Sequence, residues 1–204
     1  MILRLSSGAL ALALTFSHPA NLAAGESDFA AMRAATTRFQ DVTVAIAEGY
    51  VRDPMTMCDR AQVMGWSLGT GAAGVHYFRP DLVRLEAPPA RSAKGSASHT
   101  DALKPGILVY EQRQDGSLEL VAVENLTVKW AWRESARSEP PKLHGAAFEP
   151  MRDNPATKID EAQMFEPRYN RQVWIFRDNP RGLFMPYDPN GNCAAHGASE
   201  ASAS

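Results

Sequence analysis

The sequence predicts an α+β domain in which N-terminal helices pack on a mainly antiparallel β-sheet. Three observations lead there. Helical spacing of apolar residues is confined to the early part of the chain, from Asp28 to Gly49. Strand-like apolar runs cluster in the middle and towards the end. Between two of those runs stands Asp115-Gly116, a dipeptide that favours a tight hairpin turn. Strands that follow one another, rather than alternating with helices, argue for antiparallel pairing.

The first residues read as a secretory signal. Arg4 supplies a basic start, Ala9 to Phe16 form a short apolar run, and the small residues Ala23-Ala24-Gly25 mark a cleavage point. The run is too short to span a bilayer as a helix. The expected organisation is therefore a signal peptide over 1–24, a single domain over 25–193 and a disordered Ala/Ser/Gly tail over 194–204. A buried N-terminal helix is the alternative reading of the first segment. Export implies a periplasmic or secreted protein, with no integral membrane segment once the signal is removed.

Asp28 is placed to cap a helix carrying Phe29, Met32, Thr36 and Phe39, and Asp41 a second helix carrying Val42, Ala45 and Ile46, stopped by Gly49. A loop-rich segment follows from Tyr50 to Gly74, then a strand at Val75–Phe78 ended by Pro80. Glu86 to Pro105 reads as a polar, flexible surface loop. The hairpin comes next, from Ile107–Glu111 to Leu118–Glu124, its second strand reaching Val128 or on to Trp132. A Pro-containing loop runs from Glu134 to about Thr157, a short helix over 160–165, and strands at Gln172–Phe176 and Leu183–Met185.

Composition narrows the function. The 204 residues suffice for one core, and a net charge of −2 leaves no strong field for nucleic acid. Cys58 and Cys193 are the only cysteines, and without CxxC spacing an exported pair predicts a disulfide.

Several residues carry candidate chemistry. Gly65-Trp66-Ser67-Leu68-Gly69 matches the nucleophile motif of hydrolases, but the glycine-rich Thr70–Gly74 is a poor start for the helix that motif needs. A triad of Ser67, Asp178 and His196 can be written, with His196 in the tail. A two-residue turn at Asp115-Gly116 sets Glu111 opposite Leu120 and Glu124 opposite Ile107. Both glutamates then share a face with Ile107, Val109, Leu120 and Ala122. Acids on an apolar face need partners, and His76 or an arginine could serve one of them; the alternative is that Glu111 and Glu124 sit at opposite ends of the sheet, reaching solvent or a structural salt bridge. Separated by about 13–14 Å along the strands, the two cannot clasp one metal directly. Trp66, Trp130, Trp132 and Trp174 are candidates for an aromatic ligand wall, with Trp130 and Trp132 on one strand face.

The chain resembles an uncharacterised family of exported bacterial proteins. The resemblance is carried by Ala35-Thr36-Thr37-Arg38-Phe39 with Asp41, Ala47-Glu48-Gly49-Tyr50, Cys58, Gly74-Val75-His76-Tyr77, Leu108-Val109-Tyr110-Glu111, Leu120-Val121-Ala122-Val123-Glu124, Arg177-Asp178-Asn179-Pro180 and Asp188-Pro189-Asn190 through Cys193. It covers most of the chain after the signal and implies one domain, but no activity. Where the family often has a histidine before the Val-Trp of the late strand, this chain has Gln172, so a metal site using that histidine would lack a ligand here.

The leading expectation is a small-molecule or metal-ion binding module with a pocket over the sheet. His76, Glu111 and Glu124 are its polar residues, and Tyr77, Tyr110 and Trp174 its wall. His76 and Glu111 are the candidate metal ligands; a divalent metal is compatible with them but not demanded. A hydrolase using Ser67 or a carboxylate–histidine pair, and a structural envelope protein, stand as alternatives.

Overall fold

The computed structural model describes residues 19–53, 58–62, 64–65, 67, 69–84, 98–163 and 165–195. In chain order the helices are α1 (Pro19–Thr36), α2 (Val42–Ala47), α3 (Pro80–Val83) and α4 (Lys129–Glu134), with a 3-10 turn at Thr37–Gln40. The strands are β1 (Val51–Arg52), β2 (Cys58–Arg60), β3 (Ala72–Phe78), β4 (Ile107–Gln112), β5 (Leu118–Val128), β6 (Lys142–Leu143), β7 (Ala146–Ala147), β8 (Glu149–Met151) and β9 (Arg168–Val173). The main sheet runs β1-β3-β4-β5-β9-β8, with β2 also on β3, and every pairing is antiparallel. The fold is α+β. The cleavage point expected at Ala24 or Gly25 falls within the span of α1. Residues 1–18 and 196–204, with Trp66 and His196, lie outside the described residues. Among those described, no helix is long and apolar enough to cross a membrane.

Asp41 caps α2 as expected, its carboxylate accepting the Thr43 backbone N–H at 2.9 Å. The hairpin forms, with a different turn. Arg113 N–H donates to Ser117 O and Gly116 N–H to Arg113 O, so the loop holds three residues, Gln114 to Gly116. Gly116 takes φ +82°, the left-handed geometry such a loop demands at its last position. Glu111 therefore stands opposite Glu119, not Leu120. A bulge at Val121 then restores the expected register, and Glu124 does face Ile107.

Other elements depart from the expectations. β5 stops at Val128, and α4 begins where Lys129 N–H donates to Pro167 O, so Trp130 and Trp132 lie on a helix. The late strand comes earlier, at Arg168–Val173. Its arginines Arg168 and Arg171 are buried, and β8 from the expected loop pairs with it. Leu183–Met185 is irregular; Leu183 O accepts the Trp174 N–H. Where a short helix is expected, residues 161–163 form a turn. The end of the segment expected to be a flexible loop is held down: the Tyr50 hydroxyl donates to Pro105 O and Thr127 to His99 O.

The two faces of the sheet are covered differently. On one, Val75, Tyr77, Leu108, Tyr110, Leu120 and Val123 pack against Met32, Phe39, Ala45 and Tyr50 of the N-terminal helical segment. On the other, Phe78, Ile107, Val109, Ala122, Leu126 and Val128 meet Val83, Ala131, Phe165 and Trp174. Val83 and Ala131 belong to the short helices α3 and α4, and Phe165 and Trp174 to irregular chain, so no long helix lays a continuous apolar stripe along this face. That second face is therefore incompletely filled.

Cys58 and Cys193 form the expected disulfide, S–S 1.99 Å, joining residues 135 apart. It ties β2 to the C-terminal segment, which a single bridge between Ala72 and Asp188 also fastens to β3. Gly71 permits that contact: at φ +89°, a Cβ there would lie 1.7 Å from Asp188 O.

Candidate functional site

Strand alternation decides which predicted residues meet. His76 pairs with Val109 across β3 and β4, and Ile107 with Glu124 across β4 and β5. Residues 76, 107, 109, 122 and 124 therefore point to the loop-covered face. Glu124 in turn pairs with Gln172 of β9, and Leu126 with Asn170, which extends the same face.

A cavity of about 50 Å³ opens over this face. Its floor includes His76, Glu124, Asn170 and Gln172, and its walls include Asp53, Asp59, Phe165, Arg168 and Tyr187. His76 Nε2 and Glu124 Oε2 stand 3.6 Å apart, although their strands are separated by β4. Glu124 is buried, and its other oxygen accepts the Asn170 amide at 2.8 Å. The His76 ring lies over Phe78, centroids 6.2 Å apart. Gln172 is 6% exposed, and its amide nitrogen is buried without a hydrogen-bond partner among the described residues.

The walls are cross-linked. Gln163 donates to Asp59 at 2.9 Å, and the Tyr187 hydroxyl lies 3.5 Å from the other Asp59 oxygen. Burial pushes the Tyr187 phenol well above its ordinary range, and the charges of Asp59 and Glu124 push it further, so it remains a neutral donor. Arg168 is buried, donates to Ala162 O at 2.6 Å and lies over the Phe165 ring.

Glu111 shares the face with Glu124 but not the cavity. It sits nearer the hairpin turn, where Arg177 grips it at 2.7 Å and the Asn192 backbone N–H donates to it at 3.2 Å. The second fork of Arg177 holds Glu119, also at 2.7 Å. The joint placement of His76 and Glu111 as metal ligands is therefore corrected: the partner of His76 is Glu124. Among the described residues no group of three or more His, Cys, Asp and Glu side chains could hold a metal ion.

The aromatic wall is corrected too. Tyr77 and Tyr110 follow His76 and Val109 directly in their strands, so they face the helices, where their rings meet at 5.1 Å. Tyr110 donates to Phe39 O. Trp174 is buried beside the cavity without lining it, its indole N–H donating to Met185 O at 2.6 Å. The walls that do line it, Phe165, Arg168 and Tyr187, come from loops or a misplaced strand. Aromatic content alone did not single them out.

Ser67 lies between β2 and β3, with no helix after it over residues 69–78. Its hydroxyl is 3.3 Å from Thr70 Oγ1, and no histidine is among its hydrogen-bond partners in the described residues. Among the described residues no helix follows Ser67, as the strand-to-helix elbow of the motif would require.

Comparison of the chain with known protein families, with curated proteins and with solved structures finds no match.

Proposed function

We propose that this is an exported binding protein whose ligand is a small polar molecule held in the cavity over the sheet. The observation that carries the reading is the convergence of His76 and Glu124, from strands that do not touch, at 3.6 Å on the lining of one cavity. Buried polar groups are normally consumed by one another. Here His76, Glu124, Asn170 and Gln172 all line the same cavity. A few convergent polar groups among apolar walls are the usual make-up of a small-ligand site. The small-molecule reading is preferred to a metal, because among the described residues the cavity brings together one imidazole–carboxylate pair and no group of three that could hold a metal ion.

The disulfide fits an oxidising compartment, and with the signal-like start it supports the periplasm or the extracellular space. Cell fractionation, with the mass of the mature chain, checks this; a mature protein beginning near Gly25 is expected.

Binding is tested by titrating the mature protein with a library of small polar compounds and following its backbone amide resonances. Hits are expected to shift residues around His76, Glu124 and Gln172, and to weaken in H76A and E124Q. Hits confined to other surfaces, or unaffected by both substitutions, would overturn the reading.

A further inference from the structure

The C-terminal segment that carries Tyr187 turns sharply at Asp188-Pro189-Asn190-Gly191. Asp188 pins both N–H groups at the end of this turn: its carboxylate accepts from Asn190 and its carbonyl from Gly191, each at 2.9 Å. The Asn190 side chain is exposed and makes no hydrogen bond among the described residues. Asn190 differs in this from the other asparagines that follow Gly25. Asn154 and Asn179 precede prolines, which have no N–H. Asn125 is buried with its oxygen on the Gly106 N–H, Asn170 donates to Glu124, and Asn192 accepts from the Ala194 N–H. Asn190 alone is followed by glycine, which has no Cβ to screen its backbone nitrogen.

We propose that Asn190 is a site of spontaneous deamidation, held in check while the disulfide and the bridge to Ala72 keep this segment closed. In the reaction the Gly191 nitrogen forms a bond to Asn190 Cγ and gives up its proton, and the side-chain nitrogen leaves as ammonia. Water then opens the cyclic imide at either carbonyl, which leaves an aspartyl or an isoaspartyl residue. The net change is amide and water to acid and ammonia. The Gly191 N–H must leave Asp188 O before its nitrogen is free to attack, so the reaction needs a local opening. Two ties oppose that opening, one on each side of the dipeptide: the bridge between Ala72 and Asp188, and the Cys58–Cys193 disulfide. The fit between them is close, since a Cβ on Gly191 would lie 2.6 Å from Ala72 O. An isoaspartyl link would add a methylene to the backbone in just this stretch.

The test follows the mature protein in mildly alkaline buffer in three states: disulfide-bonded, reduced, and unfolded in urea. Peptide mapping by mass spectrometry, with an isoaspartyl-specific label, locates each converted residue and gives its rate. In the unfolded chain Asn190 is expected to convert ahead of every other asparagine. In the disulfide-bonded protein it should convert at least about tenfold more slowly, as expected of a reaction confined to a sparsely populated open form. Reduction should raise the rate while the amide spectrum keeps its dispersion. N190Q, whose longer side chain closes the ring poorly, should abolish conversion in this segment. An unfolded chain in which Asn190 stays intact, or in which another asparagine converts first, overturns the site. Equal rates in the folded and unfolded protein overturn the restraint, as does a reduced protein that stays folded and converts no faster than the oxidised one.

Discussion

His76 and Glu124 meet at 3.6 Å across a strand that contributes neither of them. β4 lies between, and its Ile107 and Val109 form the apolar ground over which the two polar side chains reach. An imidazole and a carboxylate in this setting are held by their neighbours, Phe78 under the ring and Asn170 on the acid.

Replacing Glu124 separates its structural and binding roles. E124A removes the acceptor of the Asn170 amide and should cost about 1–3 kcal/mol of stability, as for a buried polar group left unsatisfied. E124Q keeps an acceptor oxygen and should cost less, while still weakening cavity ligands. Urea unfolding at pH 7 measures both; equal losses would show that the charge, not the acceptor, holds this part of the fold.

The disulfide clamps two walls of the cavity. Cys58 precedes Asp59, and Cys193 ends the segment that carries Tyr187. The chain-entropy model assigns a bridge closing so long a loop about 5 kcal/mol. Reduction, or paired C58S and C193S substitution, should lower the denaturation midpoint by several degrees. Hydrogen exchange should accelerate around 58–60 and 187–193 before it does in β4 and β5. Uniform acceleration would mean that the bridge stabilises the domain without specifically holding the walls.

Arg177 keeps two carboxylates apart that the hairpin register places face to face. Glu111 and Glu119 are cross-strand partners, and like charges in that position repel. R177A should destabilise by roughly 1 kcal/mol or more at pH 7. Burial pushes the Glu119 carboxyl up, but Arg177 and then Arg113 outweigh it, so it titrates below the ordinary glutamate range. A folded-state pKa that is depressed contributes stability above the unfolded value, near 4.3, and loses it as pH falls through the folded value. The gap between wild type and R177A should therefore be full at neutral pH and close in acid. A gap that persists below pH 3 would assign the effect of Arg177 to packing.

Tyr50 is pushed up to about 12 by burial, which outweighs the nearby guanidinium groups of Arg79 and Arg38. Tyr110 is also raised, by burial first and then by Tyr77. A raised folded-state value makes its contribution complete below the unfolded pKa of about 10, and loses it as pH rises towards the folded one. Phenolate absorbance should show these tyrosines silent at pH 10–11 and then titrating together with alkaline unfolding. Ionisation of every tyrosine near pH 10 in a protein that stays folded would contradict their burial.

Local patterning sufficed for much of the architecture. Asp41 caps its helix because a short acid precedes an apolar helical run, and the Asp115-Gly116 pair makes a hairpin because glycine accepts positive φ. Two cysteines in an export-type chain pair because no other partner exists for either. Glu124 opposite Ile107 was legible as well, although two compensating irregularities, at Gly116 and Val121, lie between the turn and that pair. Tertiary structure decided the rest. Arg177, distant in sequence, holds Glu111, while His76 stands beside Glu124. Tyr77 and Tyr110 were counted with the pocket on composition, and strand alternation turned them to the helices. The cavity lies on the face that short helices and loops cover together, and its walls at Asp59, Phe165 and Tyr187 are placed by contacts between residues far apart in the chain, which no local pattern records.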